Sequence, residues 1–152
     1  MNVELINPFL TSTISVFSRM LSQTLVREAP YLRKGCSPLY DVTGIIGLTG
    51  KATGMVAVSM PRETALSVTE ILLQERPREV DAQTADAVGE LTNMIAGAAK
   101  SQMESLQIVL GLPTVIIGKG AVIAFPSRAR PICIPFDSPL GPIVVEVGIE
   151  AL

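Results

Sequence analysis

The sequence predicts a mixed sheet with helices packed on it, of the α+β or α/β class. Three observations carry that prediction. The stretch from Asp81 to Leu106 has no proline and spaces its apolar residues at helical intervals. Two runs rich in β-branched residues flank the turn segment Thr49 to Thr53, a hairpin signal. Beyond Gly111 and Pro113 the helical period gives way to short apolar runs separated by Gly- and Pro-containing turns. A chain of 152 residues can bury a sizeable core as one domain, expected to span 1–152.

In chain order, Asn7 followed by Pro8 predicts a helix N-cap with proline at the first helical position. Leu10, Ile14, Phe17, Leu21 and Leu25 then form the apolar stripe of that helix, with Thr11, Ser12, Ser15, Ser18 and Ser22 on its polar side and an end before Pro30. Tyr31 to Pro38, which holds Gly35 and the adjacent Arg33 and Lys34, reads as a connection. Tyr40 to Leu48 and Gly54 to Met60 read as the hairpin strands, and Gly44, Gly47 and Gly54 point to bulges or to close approach of another backbone. A short helix follows Pro61 over Arg62 to Gln74, with Ala65, Leu66, Thr69, Leu72 and Leu73 on one face, and the charged segment Glu75 to Val80 leads into the long helix. The last third predicts strands over Thr114 to Ile117, Ala121 to Phe125, Pro131 to Phe136 and Ile143 to Ile149. Several of these are apolar on both faces, as in strands covered on both sides or buried by a second copy of the chain.

Composition narrows the function classes. Apolar residues make up 48% of the chain and its mean hydropathy is +0.46, yet the uncharged stretches Leu5 to Ser18 and Ser105 to Gly118 fall short of the roughly 20 apolar residues a membrane span needs. The first residues carry Glu4 and no basic run, so no signal peptide is expected, and a soluble, cytoplasmic protein is the default. Net charge is −2 and the basic residues are scattered apart from Arg33–Lys34 and the Arg62, Arg76, Arg78 group, which argues against nucleic acid as a partner. Cys36 and Cys133 lack the spacing of a metal or redox motif and read as small buried hydrophobes. With no histidine in the chain, Ser-His-Asp and Cys-His chemistry is excluded and zinc is not expected, so any catalysis rests on carboxylates, amides, hydroxyls, Lys or Arg. The GLTGKATG segment lacks the residue order of a phosphate-cradling loop and joins two strands, which makes it a hairpin turn.

The long helix holds the chemistry-bearing pattern. Asp81 is placed to cap it, and Val88, Leu91, Ile95, Ala98, Ala99 and Leu106 stack on one side. On the other side, at about 100° per residue, fall Asp86, Glu90, Asn93, Gly97, Lys100, Ser101 and Glu104. Asn93 competes with the helix backbone, and Gly89 and Gly97 each cost about 1 kcal/mol against Ala in a helix interior. Spacing alone leaves two readings, an ordinary solvated face with glycines that permit packing, or a face that another surface approaches. A bare Glu-x-x-Asn is cheap, and Glu4 with Asn7 makes a second one.

Taken with the order of elements, the string DAVGELTNMIAG resembles the CheX-type members of the CheC/CheX/FliY phosphatases, which dephosphorylate the chemotaxis response regulator CheY. The family helix carries Asp or Ser, three residues, Glu, two residues and Asn, with a Pro some twenty positions on, and Asp86, Glu90, Asn93 and Pro113 match it at a slightly shorter final spacing. The resemblance extends through INPF, GLTG, GMVAVSM, ETAL and LPTVIIG. It implies a largely antiparallel sheet, a long motif helix, and catalysis by Glu90 and Asn93. Asn93 would orient the attacking water and Glu90 would pair with the regulator's phosphate-contacting Lys. Asp86 and Gly97 would lie in the partner contact. It implies no cofactor of the chain's own, with Mg²⁺ on the partner, one site because the first helix lacks a mid-helix Glu and Asn pair, and a homodimer joined edge to edge through its sheets. The alternative it leaves is a non-catalytic module that docks a regulator, as in flagellar switch assemblies.

Overall fold

The computed structural model describes residues 3–32, 40–125 and 130–152. Its elements run α1 (Val3–Leu21), β1 (Val26–Arg27), β2 (Tyr31–Leu32), β3 (Val42–Thr49), β4 (Ala52–Met60), α2 (Arg62–Leu73), α3 (Ala82–Ser101), a 3₁₀ turn (Glu104–Leu106), β5 (Val109–Leu110), β6 (Thr114–Ile117), β7 (Ile132–Asp137) and β8 (Ile143–Ala151). The strands form one eight-stranded sheet in the order β1-β7-β8-β4-β3-β5, with β2 also on β7 and β6 also on β3. Every described pairing is antiparallel. This is the α+β architecture expected from the sequence.

The sheet alternates in the way a pleated surface must. Val42, Ile46 and Leu48 of β3, Val56, Val58 and Met60 of β4, Ile132, Ile134 and Phe136 of β7, and Ile143, Val145 and Val147 of β8 share one core with Phe9 and Phe17 of α1, Val68 of α2 and Val88, Leu91 and Ile95 of α3. All three helices therefore cover one face. On the other face a smaller apolar cluster joins Ala57 and Ile123, with Ile45, Met55, Ile116 and Phe125 packed against it. The two-sided apolar strands are thus covered within one chain.

The hairpin forms where expected, with Gly50 at φ +114° in the connection between β3 and β4. That backbone region favours glycine. The long-helix cap is also as expected. The Asp81 carboxylate accepts from the backbone N–H of Gln83 at 3.0 Å and of Thr84 at 3.1 Å, and the Thr84 hydroxyl accepts from the Asp81 N–H at 3.3 Å. This is a reciprocal capping box with Thr in place of the usual Glu or Gln.

Several expectations are corrected. The first helix starts at Val3, a turn before Pro8, although it ends at Leu21, before Pro30 as expected. Its buried side holds the expected Phe17 and Leu21, with Leu10 and Ile14 packed against the core, and extends to Ile6, Phe9, Thr13 and Val16; Ser12, placed on the polar side, is buried and its hydroxyl accepts from Gln102 Nε2 at 2.9 Å. The long helix ends at Ser101, so Glu104 and Leu106 belong to the 3₁₀ turn. Leu73, expected on the buried face of the second helix, is exposed. Ala121 to Phe125 is not a strand: it packs on the outer face of the sheet, with Phe125 lying over Gly148, where a Cβ would strike its ring. Cys36, Gly35 and the Arg33–Lys34 pair lie outside the described residues, and Cys133 is buried, as expected.

Candidate functional site

α3 approaches the sheet most closely at Gly44. A Cβ at Gly44 of β3 would collide with Thr92 Oγ1 and stand 3.3 Å from the Val88 carbonyl oxygen, so only glycine lets the helix backbone settle there. Thr92 is fully buried and its hydroxyl donates to that same Val88 carbonyl at 2.8 Å. α3 also packs on α1, α2 and β6. With Val88, Leu91, Ile95 and Ala99 facing inward, the phase of the helix is set.

That phase turns the predicted stripe outward. Asp86, Glu90, Lys100 and Ser101 are exposed, and Asn93 and Gly97 are half-buried. Successive turns of one helix face carry the carboxylates of Asp86 and Glu90, then the amide of Asn93, then the bare backbone of Gly97. Among the described residues, Asp86, Glu90 and Asn93 make no side-chain hydrogen bond or ion pair within the chain. Their polar atoms are available to something else.

Two hollows flank Asn93. The first, about 460 Å³, is lined by Ala85, Asp86, Gly89, Glu90, Pro113 and Val115. Pro113, far along the chain, lies beside Gly89 of α3: a Cβ there would stand in ordinary contact with Val115 at 3.4 Å and Pro113 at 3.8 Å. The second, about 340 Å³, lies at the C-terminal end of the helix between Gly97, Lys100, Ser101, Met103, Glu104, Gln107 and Ile108. Sequence reasoning missed this second hollow. It depends on the helix stopping at Ser101 and on Gln107 adopting φ +47°, and a helical period that runs on through Leu106 hides both.

Gly97 separates the two glycine explanations. A Cβ built on it meets nothing within 4 Å, so packing inside the chain does not require glycine there. Gly97→Ala is therefore expected to stabilise the protein by about 0.5–1 kcal/mol. Thermal unfolding checks this, and a lower midpoint would mean that α3 is packed against at Gly97.

The described residues contain no group of three or more His, Cys, Asp or Glu placed to hold a metal. The stripe offers carboxylates, an amide and an ammonium, suited to hydrogen bonding and pairing. Away from the stripe, Tyr31 on the edge strand β2 has its phenol pKa raised by burial first and by the neighbouring Cys133 thiol second. No helix of the described residues is long and apolar enough to cross a membrane.

A family model described as chemotaxis phosphatase CheX matches residues 42–137, from the start of β3 to the end of β7 and including the whole of α3. The chain belongs to the CheX family. A CheC-like superfamily protein from Shewanella sp. PV-4 is 34% identical over 99% of this chain and 100% of its own, with a TM-score of 0.89. A chain of the CheX–CheY–BeF₃–Mg²⁺ complex from Borrelia burgdorferi is 26% identical, covers 95% of this chain and 97% of its own, and has a TM-score of 0.81. The CheY-P phosphatase CheX of Thermotoga maritima is 31% identical over 83 residues, 53% of this chain and 54% of that relative. The alignment thus spans about half the length of that curated CheX.

Proposed function

We propose that this CheX-family chain hydrolyses the phosphoaspartate of a CheY-type response regulator, with Asn93 orienting the attacking water. The observation that carries the reading is the pair Glu90 and Asn93, one turn apart on the exposed side of α3, with side chains that have no hydrogen-bond or ion-pair partner among the described residues. An asparagine in a helix interior costs stability relative to Ala, and no side-chain bond among the described residues offsets it here. The name of the Thermotoga relative and the CheX–CheY complex from Borrelia support CheY as the substrate.

The chemistry asks little of such a site. In an acyl phosphate the Mg²⁺ and a Lys of the partner neutralise the phosphoryl oxygens, and hydrolysis needs a water held in line with the bond to the leaving carboxylate. The Asn93 amide supplies an acceptor and a donor, both neutral, to fix that water. The water oxygen bonds to phosphorus, the P–O bond to the aspartyl carboxylate breaks, and inorganic phosphate and the free carboxylate result. Glu90, a turn earlier, pairs with the partner's Lys and fixes the pose. Asp86 sits a further turn back at the rim of the Pro113 hollow, and Gly97 leaves room for the partner's surface. Mg²⁺ belongs to the partner.

Two copies joined at a sheet edge complete the proposal. The β1/β2 edge exposes Val26, Tyr31 and Leu32, and the strand order puts it at the far end of the sheet from β6 and the Pro113 hollow, so dimerisation there leaves both sites open.

The test is a pair of variants read in two ways. Glu90→Ala is expected to weaken binding of phosphorylated CheY by about tenfold or more, the loss of one charge-assisted contact. Asn93→Ala is expected to stop hydrolysis while still binding. Binding by the wild type with no hydrolysis would instead establish a docking module.

A further inference from the structure

Building on that phosphatase reading, we propose that the receiver domain also rests on the C-terminal hollow of α3, where Lys100 sets its orientation by pairing with a carboxylate on the partner. Asp86, Glu90, Asn93, Gly97 and Lys100 follow one another at intervals of four, three, four and three residues, a continuous line along the helix. A partner seated at Asn93 has to lie over Gly97, where a side chain would meet only open space. No wall divides the two positions. Beyond Gly97 the hollow has an apolar floor in Met103 and Ile108, both buried, and Lys100 and Ser101 at its rim. The backbone of Lys100 lies about 10 Å further along the helix axis than that of Asn93, taking 1.5 Å per residue.

The charges along this line are asymmetric. Asp86 and Glu90 make its N-terminal end acidic, and Lys100 brings the first positive charge to its C-terminal end. Glu104 lines the same hollow, yet among the described residues no ion pair joins it to Lys100. A partner that carries Mg²⁺ beside its phosphoryl group holds that hard cation with carboxylates, so its surface there is acidic as well as bearing the Lys that Glu90 meets. Of the two directions in which such a surface can lie along α3, one sets the partner's Lys at Glu90 and a partner carboxylate at Lys100. Complementarity of this kind governs encounter rate and orientation.

A lysine in the last turn of a helix also complements the helix dipole, a purely structural role. The experiment that separates the two titrates CheY from the same genome, loaded with Mg²⁺ and BeF₃⁻ in place of the phosphoryl group, against wild type, Lys100→Glu and Lys100→Arg at low and moderate salt. Lys100→Glu is expected to bind about tenfold more weakly at low salt and to lose much of the salt dependence, and Lys100→Arg to bind within about twofold of wild type. Wild-type affinity and salt dependence in Lys100→Glu would overturn the assignment of Lys100 and leave the phosphatase reading standing. A wild type that does not bind loaded CheY would overturn both.

Discussion

Asn93→Ala is expected to lower the rate of phosphoaspartate hydrolysis by at least about 100-fold with the fold intact. Removing a group that positions a reacting atom, or one preorganised hydrogen-bonding partner of a transition state, costs about 10²–10³ in rate. The fold should not notice. Asn93 is half-buried and makes no side-chain hydrogen bond among the described residues, and Ala is the better helix former, so the midpoint of thermal unfolding should hold or rise slightly. Binding of CheY loaded with Mg²⁺ and BeF₃⁻ should persist through Glu90. A variant that hydrolyses at the wild-type rate would remove Asn93 from the mechanism, and one that unfolds would show that α3 is phased differently.

Gly44→Ala is expected to destabilise the protein by about 1–3 kcal/mol, the usual cost of overpacking a filled core. The added methyl would fall on Thr92 Oγ1 and stand 3.3 Å from the Val88 carbonyl, and Thr92 is fully buried with its hydroxyl bonded at 2.8 Å to that carbonyl. Neither atom can yield without moving α3 off the sheet. For a chain of this size each kcal/mol lowers the unfolding midpoint by roughly 2–4 °C. Thr92→Ala in the same chain removes the colliding oxygen and should recover part of the loss, so the two changes are non-additive. Additive effects, or a neutral Gly44→Ala, would mean that the contact does not hold the helix.

The candidate site was legible because the period of α3 is strong. Val88, Leu91, Ile95 and Ala99 fix which way the helix faces, and once that is known Asp86, Glu90, Asn93 and Gly97 must face out. The end of the helix was not legible. Met103 and Leu106 continue the spacing of Ala99 through a 3₁₀ turn, so the apolar pattern persists where the helix does not. In α1 the width of the buried side was misread because buried hydroxyls look polar in a sequence. Thr13 donates to the Phe9 carbonyl at 2.6 Å and Ser12 accepts from Gln102, which lets both sit inside. Pro8 gave a false start because Asn-Pro has the composition of a cap, whereas the burial of Ile6 draws the helix back to Val3. The segment from Ala121 to Phe125 has strand composition, and only the placement of Phe125 over Gly148 shows that it covers the sheet instead of joining it. Strands of two residues, such as β1, β2 and β5, carry no period to read.

The most direct test of the central claim is turnover. CheY from the same genome, phosphorylated on its aspartate and freed of phosphodonor, is mixed with this protein at a small fraction of its concentration, and inorganic phosphate is followed. A catalyst should release many equivalents of phosphate per protomer, well ahead of the spontaneous decay of CheY alone. Decay at the spontaneous rate, or slower because the bound phosphoryl group is shielded from water, would contradict the phosphatase and leave a docking protein.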